Sequence, residues 1–202
     1  MIGIIGAMEE EVAALKSEMA DAKVTEFASM TFYKGTLCGK DTVVVRSGIG
    51  KVNAAICAQI LVDKFGVDTL INTGIAGSLD ARIDIGDMVI STDAVHHDMD
   101  ATIFGDAIGQ VPRMDTRTFP ADPHLVELAV KANEKANPQI HTFTGRVASG
   151  DQFISSGEVK ARIVENFQAL CTEMEGVGIA HAAYLYLGIC RSLGANEYAA
   201  RQ

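Results

Sequence analysis

The sequence predicts a three-layer α/β sandwich, a central mixed and twisted sheet flanked by helices, in one domain over residues 1–202. Three observations carry the expectation. Apolar runs at 2–5, 43–46 and 68–73 each lead into a glycine-bearing turn, the pattern of buried strands that deliver their carboxyl ends to loops. Residues 23–47 alternate as two or three antiparallel strands, with Gly35, Gly39, Lys40 and Asp41 at their turns. The remaining segments alternate between strand and helix patterns, and no linker, repeat or low-complexity stretch divides 202 residues, a length suited to one core.

Composition narrows the function. Hydrophobic residues make up 48% and charged residues 21%, as in an ordinary globular chain. A net charge of -9 leaves no basic patch to neutralise phosphates, so neither a nucleic acid nor an anionic membrane is an expected partner. No apolar run is long enough to span a bilayer and no basic leader precedes the first strand, which predicts a cytoplasmic protein. Cys38, Cys57, Cys171 and Cys190 are scattered without a Cys-x-x-Cys pair, so buried reduced thiols are expected.

Taken in order, the first strand ends at Gly6 and meets Ala7, Met8 and the acids Glu9, Glu10 and Glu11. The acids fall in the first turn of a helix, where its dipole favours them. Gly3 and Gly6 do not make a dinucleotide fingerprint, and the acids would repel a pyrophosphate. Ser47–Gly48–Ile49–Gly50–Lys51 ends in Gly-Lys, yet Val45 and Val52 stand where a phosphate loop needs glycine and a hydroxyl, and a helix follows over 52–62. The strand over 68–73 leads to the turn Gly74–Ile75–Ala76–Gly77–Ser78, which is either a ligand cradle at a strand's carboxyl end or a plain tight turn.

The stretch 83–93 gives Gly86, Asp87 and a further strand, and His96, His97, Asp98 and Asp100 follow. Adjacent histidines point oppositely on a strand and no helix-spaced third ligand follows, so no metal site is expected. The long connection over 101–123, holding Phe104, has the length of a functional or interfacial loop. A proline-started helix over 123–136 precedes a strand over 140–148, the turn Ser149 to Ile154 and a helix over 157–167. Phe153 in that turn suits either a cover for an aromatic ligand or a core position.

Cys171 to Ala183 is the stretch around which the rest is organised. If the chain there is extended, Glu173 and Glu175 point to one side, against an apolar run. A buried carboxylate needs a hydrogen-bond donor, which a ligand hydroxyl supplies; a pair of capping acids at a helix start is the other reading.

The opening run Ile4 to Glu11, the Ser47–Lys51 turn, the Asn72–Gly77 turn, the Ser149–Ile154 turn and Glu173–Met174–Glu175 occur in an order that resembles bacterial 5'-methylthioadenosine/S-adenosylhomocysteine nucleosidases, of the nucleoside phosphorylase superfamily. The resemblance runs from residue 1 to about His181 and implies hydrolysis of the adenine–ribose bond without a cofactor. On the family pattern Glu11 corresponds to the base that activates water, and Glu175, beside Glu173, to the carboxylate on the ribose hydroxyls, with Met174 against the sugar. Phe153 resembles the residue stacking on adenine, and the backbone of Ile154 the one that reads the base edge. Ala76 and Gly77 belong to the same cradle, Met8 and Ile49 to the 5'-thio pocket, and Phe104 to a residue contributed across a homodimer. Ile75 stands where the family commonly has serine.

The physical argument favours hydrolysis over phosphorolysis. Positive charge grows on the sugar as the bond breaks, and carboxylates stabilise it; a phosphate dianion would meet Glu9, Glu10 and Glu11 instead.

One part departs from the family. Its general acid closes an Arg-x-x-Ser-Asp motif, and the corresponding stretch here is Arg191–Ser192–Leu193–Gly194–Ala195, so Gly194 and Ala195 replace the serine and aspartate. The C-terminal strand and the final helix are accordingly expected to be altered or missing after about residue 182, with apolar sheet surface left exposed. Slow or absent turnover follows as a second expectation, in which the chain is a nucleoside-binding relative, and Asn196 or Glu197 is the nearest substitute acid.

Overall fold

The computed structural model describes residues 1–186 and 191–198. Ten strands form one sheet, and its order follows from where each strand's bonds go. β1 (Ile2–Gly6) lies between two parallel neighbours, β4 (Lys40–Arg46) and β5 (Thr69–Ser78). On the β4 side, β3 (Met30–Leu37) and β2 (Ala20–Phe27) continue antiparallel to the free edge. On the other side β10 (Arg191–Tyr198) runs parallel to β5 and antiparallel to β6 (Met88–His96). Next come β8 (Thr142–Ser149) and the short β9 (Cys171–Glu173), which returns to pair with Gly77 and Ser78 of β5. β5, β10, β6, β8 and β9 therefore close into a ring, and β7 (Thr118–Pro120) adds to β6.

Helices cover both faces, as a sheet with two apolar sides demands. α2 (Lys51–Phe65) and α5 (Gly176–Leu185) bury Leu61, Ile179 and Ala183 against Ile5, Phe32, Val43, Val45 and Leu70. Each large apolar side chain buried there contributes about 2 kcal/mol. Val44 and Gly6 face the opposite way in the pleat, and α1 (Glu9–Glu18) lays the buried Val12 against Gly6 there. α3 (Pro123–Ala136) starts with Asp122 accepting the Leu125 N–H and proline in its first turn; α4 (Gly157–Phe167) packs Ile163 and Phe167 on Val95 and Ala148.

Several sequence expectations change. Within 83–93 the strand occupies only the part from Met88, past Gly86 and Asp87, because the buried Asp87 carboxylate ties down a turn through the Asp84 and His141 amides. The glycine-rich stretch over 74–78 is the second half of β5 rather than a turn. β9 ends at Glu173, so Glu173 and Glu175 do not share one strand. Cys57 and Cys171 are buried, but Cys38 is exposed in the β3–β4 turn, where φ is +49°. Cys190 lies outside the described residues, as does the chain over 199–202.

Candidate active site

The carboxyl ends of β1, β5, β8 and β9 surround a cleft of about 270 Å³. Its first carboxylate is set by α1. Glu11 occupies the third position of that helix and turns back over the helix start: Oε2 accepts the Ala7 N–H at 2.7 Å and the Met8 N–H at 2.9 Å. Oε1 accepts the Ile75 N–H of β5 at 3.1 Å. The approach requires Gly74, since a Cβ there would stand 2.6 Å from Oε1. Three of about four acceptor positions are thus filled by rigid backbone, and the carboxylate is held in one orientation.

Glu173 and Glu175 divide the two readings between them. Glu173 is buried at the end of β9 and accepts the Glu175 N–H at 2.9 Å, the Gly176 N–H at 2.6 Å and the Ser149 hydroxyl, so it caps α5. Ser149 passes the connection on by accepting the Val177 N–H at 2.8 Å. Burial pushes the Glu173 pKa upward against these three donors. Glu175, at the N-cap position of α5, accepts the Gly50 N–H at 2.7 Å through Oε1. Burial first, and then repulsion from Glu173 and Glu11, raise its pKa to about 7, with the Gly50 N–H working against the rise.

The walls of the cleft are largely apolar. Met8, Ile49, Met174, Ala76, Gly77, Phe153 and Ile154 all line the cleft, with Phe153 71% and Ile49 55% exposed. Phe104 does not line it: it stands in a short 3-10 turn, 85% exposed. Every other site residue expected from the sequence is brought together here, including Glu173, whose acceptors serve the protein. Gln152, Lys160 and Thr172 also line the cleft. Gln152 lies inside the singled-out Ser149–Ile154 turn, whereas a lone lysine on α4 carries no sequence signal.

β10 carries the stretch in which the sequence resemblance looks for a general acid. Gly194 and Ala195 pair with Asn72 and Thr73, below the cleft, and the backbone of Glu197 pairs with Ile75 at its wall. Asn196 is buried in a second, separate cavity with Ser91, Ser192 and Gly194. Among the described residues no group of histidines, cysteines and acids stands close enough to hold a metal ion.

Residues 1–192 match the model of the phosphorylase superfamily. A 5'-methylthioadenosine/S-adenosylhomocysteine nucleosidase of Staphylococcus saprophyticus is 45% identical over 92% of this chain and 81% of its own. One from Colwellia psychrerythraea is 46% identical over 89% and 76%. A crystal structure of a Colwellia psychrerythraea nucleosidase in complex with adenine superposes with TM-score 0.92 at 42% identity, covering 98% of this chain and 81% of that one. The Neisseria meningitidis nucleosidase with methylthio-immucillin-A gives TM-score 0.92 at 36% identity, covering 98% and 84%.

Proposed function

The chain belongs to the phosphorylase superfamily and, within it, to the 5'-methylthioadenosine/S-adenosylhomocysteine nucleosidases, and on that premise we propose that it hydrolyses the N-glycosidic bond of these nucleosides to adenine and the 5'-thioribose. The observation that carries the reading is Glu11, fixed by three backbone amides in the same cleft as Glu175. Its remaining acceptor position takes a proton from the attacking water. The oxygen of Glu175 that does not bond Gly50 receives the ribose hydroxyls, and those donors favour the ionised form that burial opposes. Both charges gain most when the sugar turns cationic in the transition state. Adenine stacks on Phe153 with its edge read by the Ile154 backbone and rests in the cradle of Ala76 and Gly77. Met174 lies under the sugar, and Met8 and Ile49 take the 5'-thio group.

Phosphorolysis is disfavoured by the same bonds. The amides of Ala7, Met8 and Ile75, which would otherwise suit a phosphate, already hold a carboxylate.

A second reading, slow turnover or binding without turnover, is favoured by Gly194 and Ala195, neither of which donates a proton to the departing adenine. A missing general acid slows such a step by about two to four decades. The exposure of Phe104 at 85% and Ile103 at 87%, away from their own cleft, supports a homodimer in which Phe104 serves the other copy. A cytoplasmic place in methionine salvage goes with these substrates; no helix among the described residues is long and apolar enough to cross a membrane.

The test is adenine release from methylthioadenosine with and without phosphate, beside a Glu11→Gln control. Phosphate-independent release that falls at least about a hundredfold in the control supports hydrolysis. Release that requires phosphate overturns it, and thermal stabilisation by the nucleoside without product selects the second reading.

A further inference from the structure

We propose that Lys51, Asp98 and Asp151 form a strut that positions the Phe153 turn and the Glu175 carboxylate relative to each other, an inference that rests on the nucleosidase reading of the cleft. None of the three lines the cleft itself. They come from three places in the chain: the first residue of α2, the loop after β6 and the loop after β8. The Lys51 ammonium donates to Asp98 Oδ1 at 2.5 Å and lies 4.0 Å from Asp151 Oδ2. Asp98 Oδ2 accepts the Asp151 backbone N–H at 2.9 Å, and Asp151 Oδ1 accepts the Lys51 backbone N–H at 2.8 Å. The bonds close a circuit through two main-chain amides, so neither loop shifts without breaking a charge-assisted bond.

The circuit meets the cleft at two points. Asp151 stands two residues before Phe153, and Lys51 follows Gly50, whose N–H holds Glu175. α5 is seated on the same spot, because a Cβ at Gly178 would lie 2.7 Å from the Lys51 carbonyl oxygen. The Lys51 and Asp98 side chains are only 16% and 15% exposed, which sets this pair apart from surface ion pairs that hold nothing in place. His96 backs the lysine. Its Nδ1 lies 3.5 Å from the ammonium and accepts, leaving Nε2 to donate to His181 Nδ1 at 3.3 Å. Burial, with the lysine charge adding to it, pushes the His96 pKa down to about 4, so the ring stays neutral and leaves Asp98 to Lys51.

The experiment compares Lys51→Met, Lys51→Arg and Asp98→Asn with the unaltered chain by methylthioadenosine kinetics and by amide hydrogen exchange of the ligand-free protein. A displaced loop loosens both the Phe153 turn and the transition-state contact of Glu175, so Lys51→Met and Asp98→Asn lower kcat/KM about a hundredfold, with kcat falling as well as KM rising. Exchange speeds up at Lys51 and Asp151, and Lys51→Arg recovers most of both effects. Unchanged exchange at those amides in Lys51→Met and Asp98→Asn overturns the strut. So does a loss in kcat/KM that tracks a lowered Tm and is no smaller in Lys51→Arg. If the unaltered chain neither binds nor cleaves the nucleoside, the nucleosidase reading fails, and exchange still decides the strut.

Discussion

Replacing Glu175 by glutamine is expected to stabilise the free protein while removing its activity. The side chain keeps its shape, and the amide oxygen still accepts the Gly50 N–H. What disappears is a charge that the fold opposes. With the pKa raised from 4.5 to about 7, Glu175 binds its proton more tightly in the folded than in the unfolded chain. Stability from this group is therefore complete below about pH 4.5 and is lost as pH rises through 7, because the folded state holds the extra proton only in that window. At 1.36 kcal/mol per pH unit the loss amounts to about 3 kcal/mol by pH 8. Glutamine does not titrate, so the two proteins should differ little in urea unfolding at pH 5 and diverge by 2 to 3 kcal/mol at pH 8, or about 4 to 12 °C in Tm. Adenine release should fall with the lost carboxylate. A difference that is independent of pH, or a glutamine variant less stable at pH 8, would refute the assignment of burial and Glu173 as the sources of the strain on Glu175.

Ser149→Ala leaves the buried Val177 N–H without an acceptor and Glu173 with one donor fewer, so urea unfolding should show a loss of about 1 to 3 kcal/mol. Glu197→Gln should leave residual adenine release unchanged, as slow turnover without a general acid requires; a drop of tenfold or more would make Glu197 the substitute acid. If Phe104 completes the cleft of a second copy, Phe104→Ala raises KM for methylthioadenosine several-fold, and the unaltered chain sediments as a dimer. A monomer with an unchanged KM would remove that role.

The elements that position the cleft were legible because their signals are local. Strand, glycine turn and helix follow one another within a dozen residues at Ile5 to Glu11 and again at Val45 to Val52. The residues gathered at the cleft were readable because they sit in those turns. What the local pattern does not carry is pairing. Gly74 to Ser78 read as a turn because glycine is rare inside strands, yet the missing side chain there admits Glu11, and the strand continues to β9. Glu173 and Glu175 looked equivalent by spacing and were separated by what each meets: the start of α5 for one, Gly50 for the other. The partnership of Lys51 with Asp98 links positions 47 residues apart, and nothing in the sequence around either announces it.

The closure of β5, β10, β6, β8 and β9 on one another divides the sheet into a hooped half and a selvedge. At the selvedge β2 is exposed along its whole length, carries Lys23 and Glu26, and is interrupted by a register shift between Ala20 and Lys23, all of which discourage a neighbouring chain from adding to it. Thermal fraying starts where a strand has one partner and little burial, which describes β2. The hoop has no such starting point, and most of the cleft is cut into it. Fraying of β2 leaves the core and the binding end in place, because Met30 and Phe32 hold β3, which makes the turn at Ala28 and Ser29 the place to attach a label or graft a peptide without disturbing the chemistry.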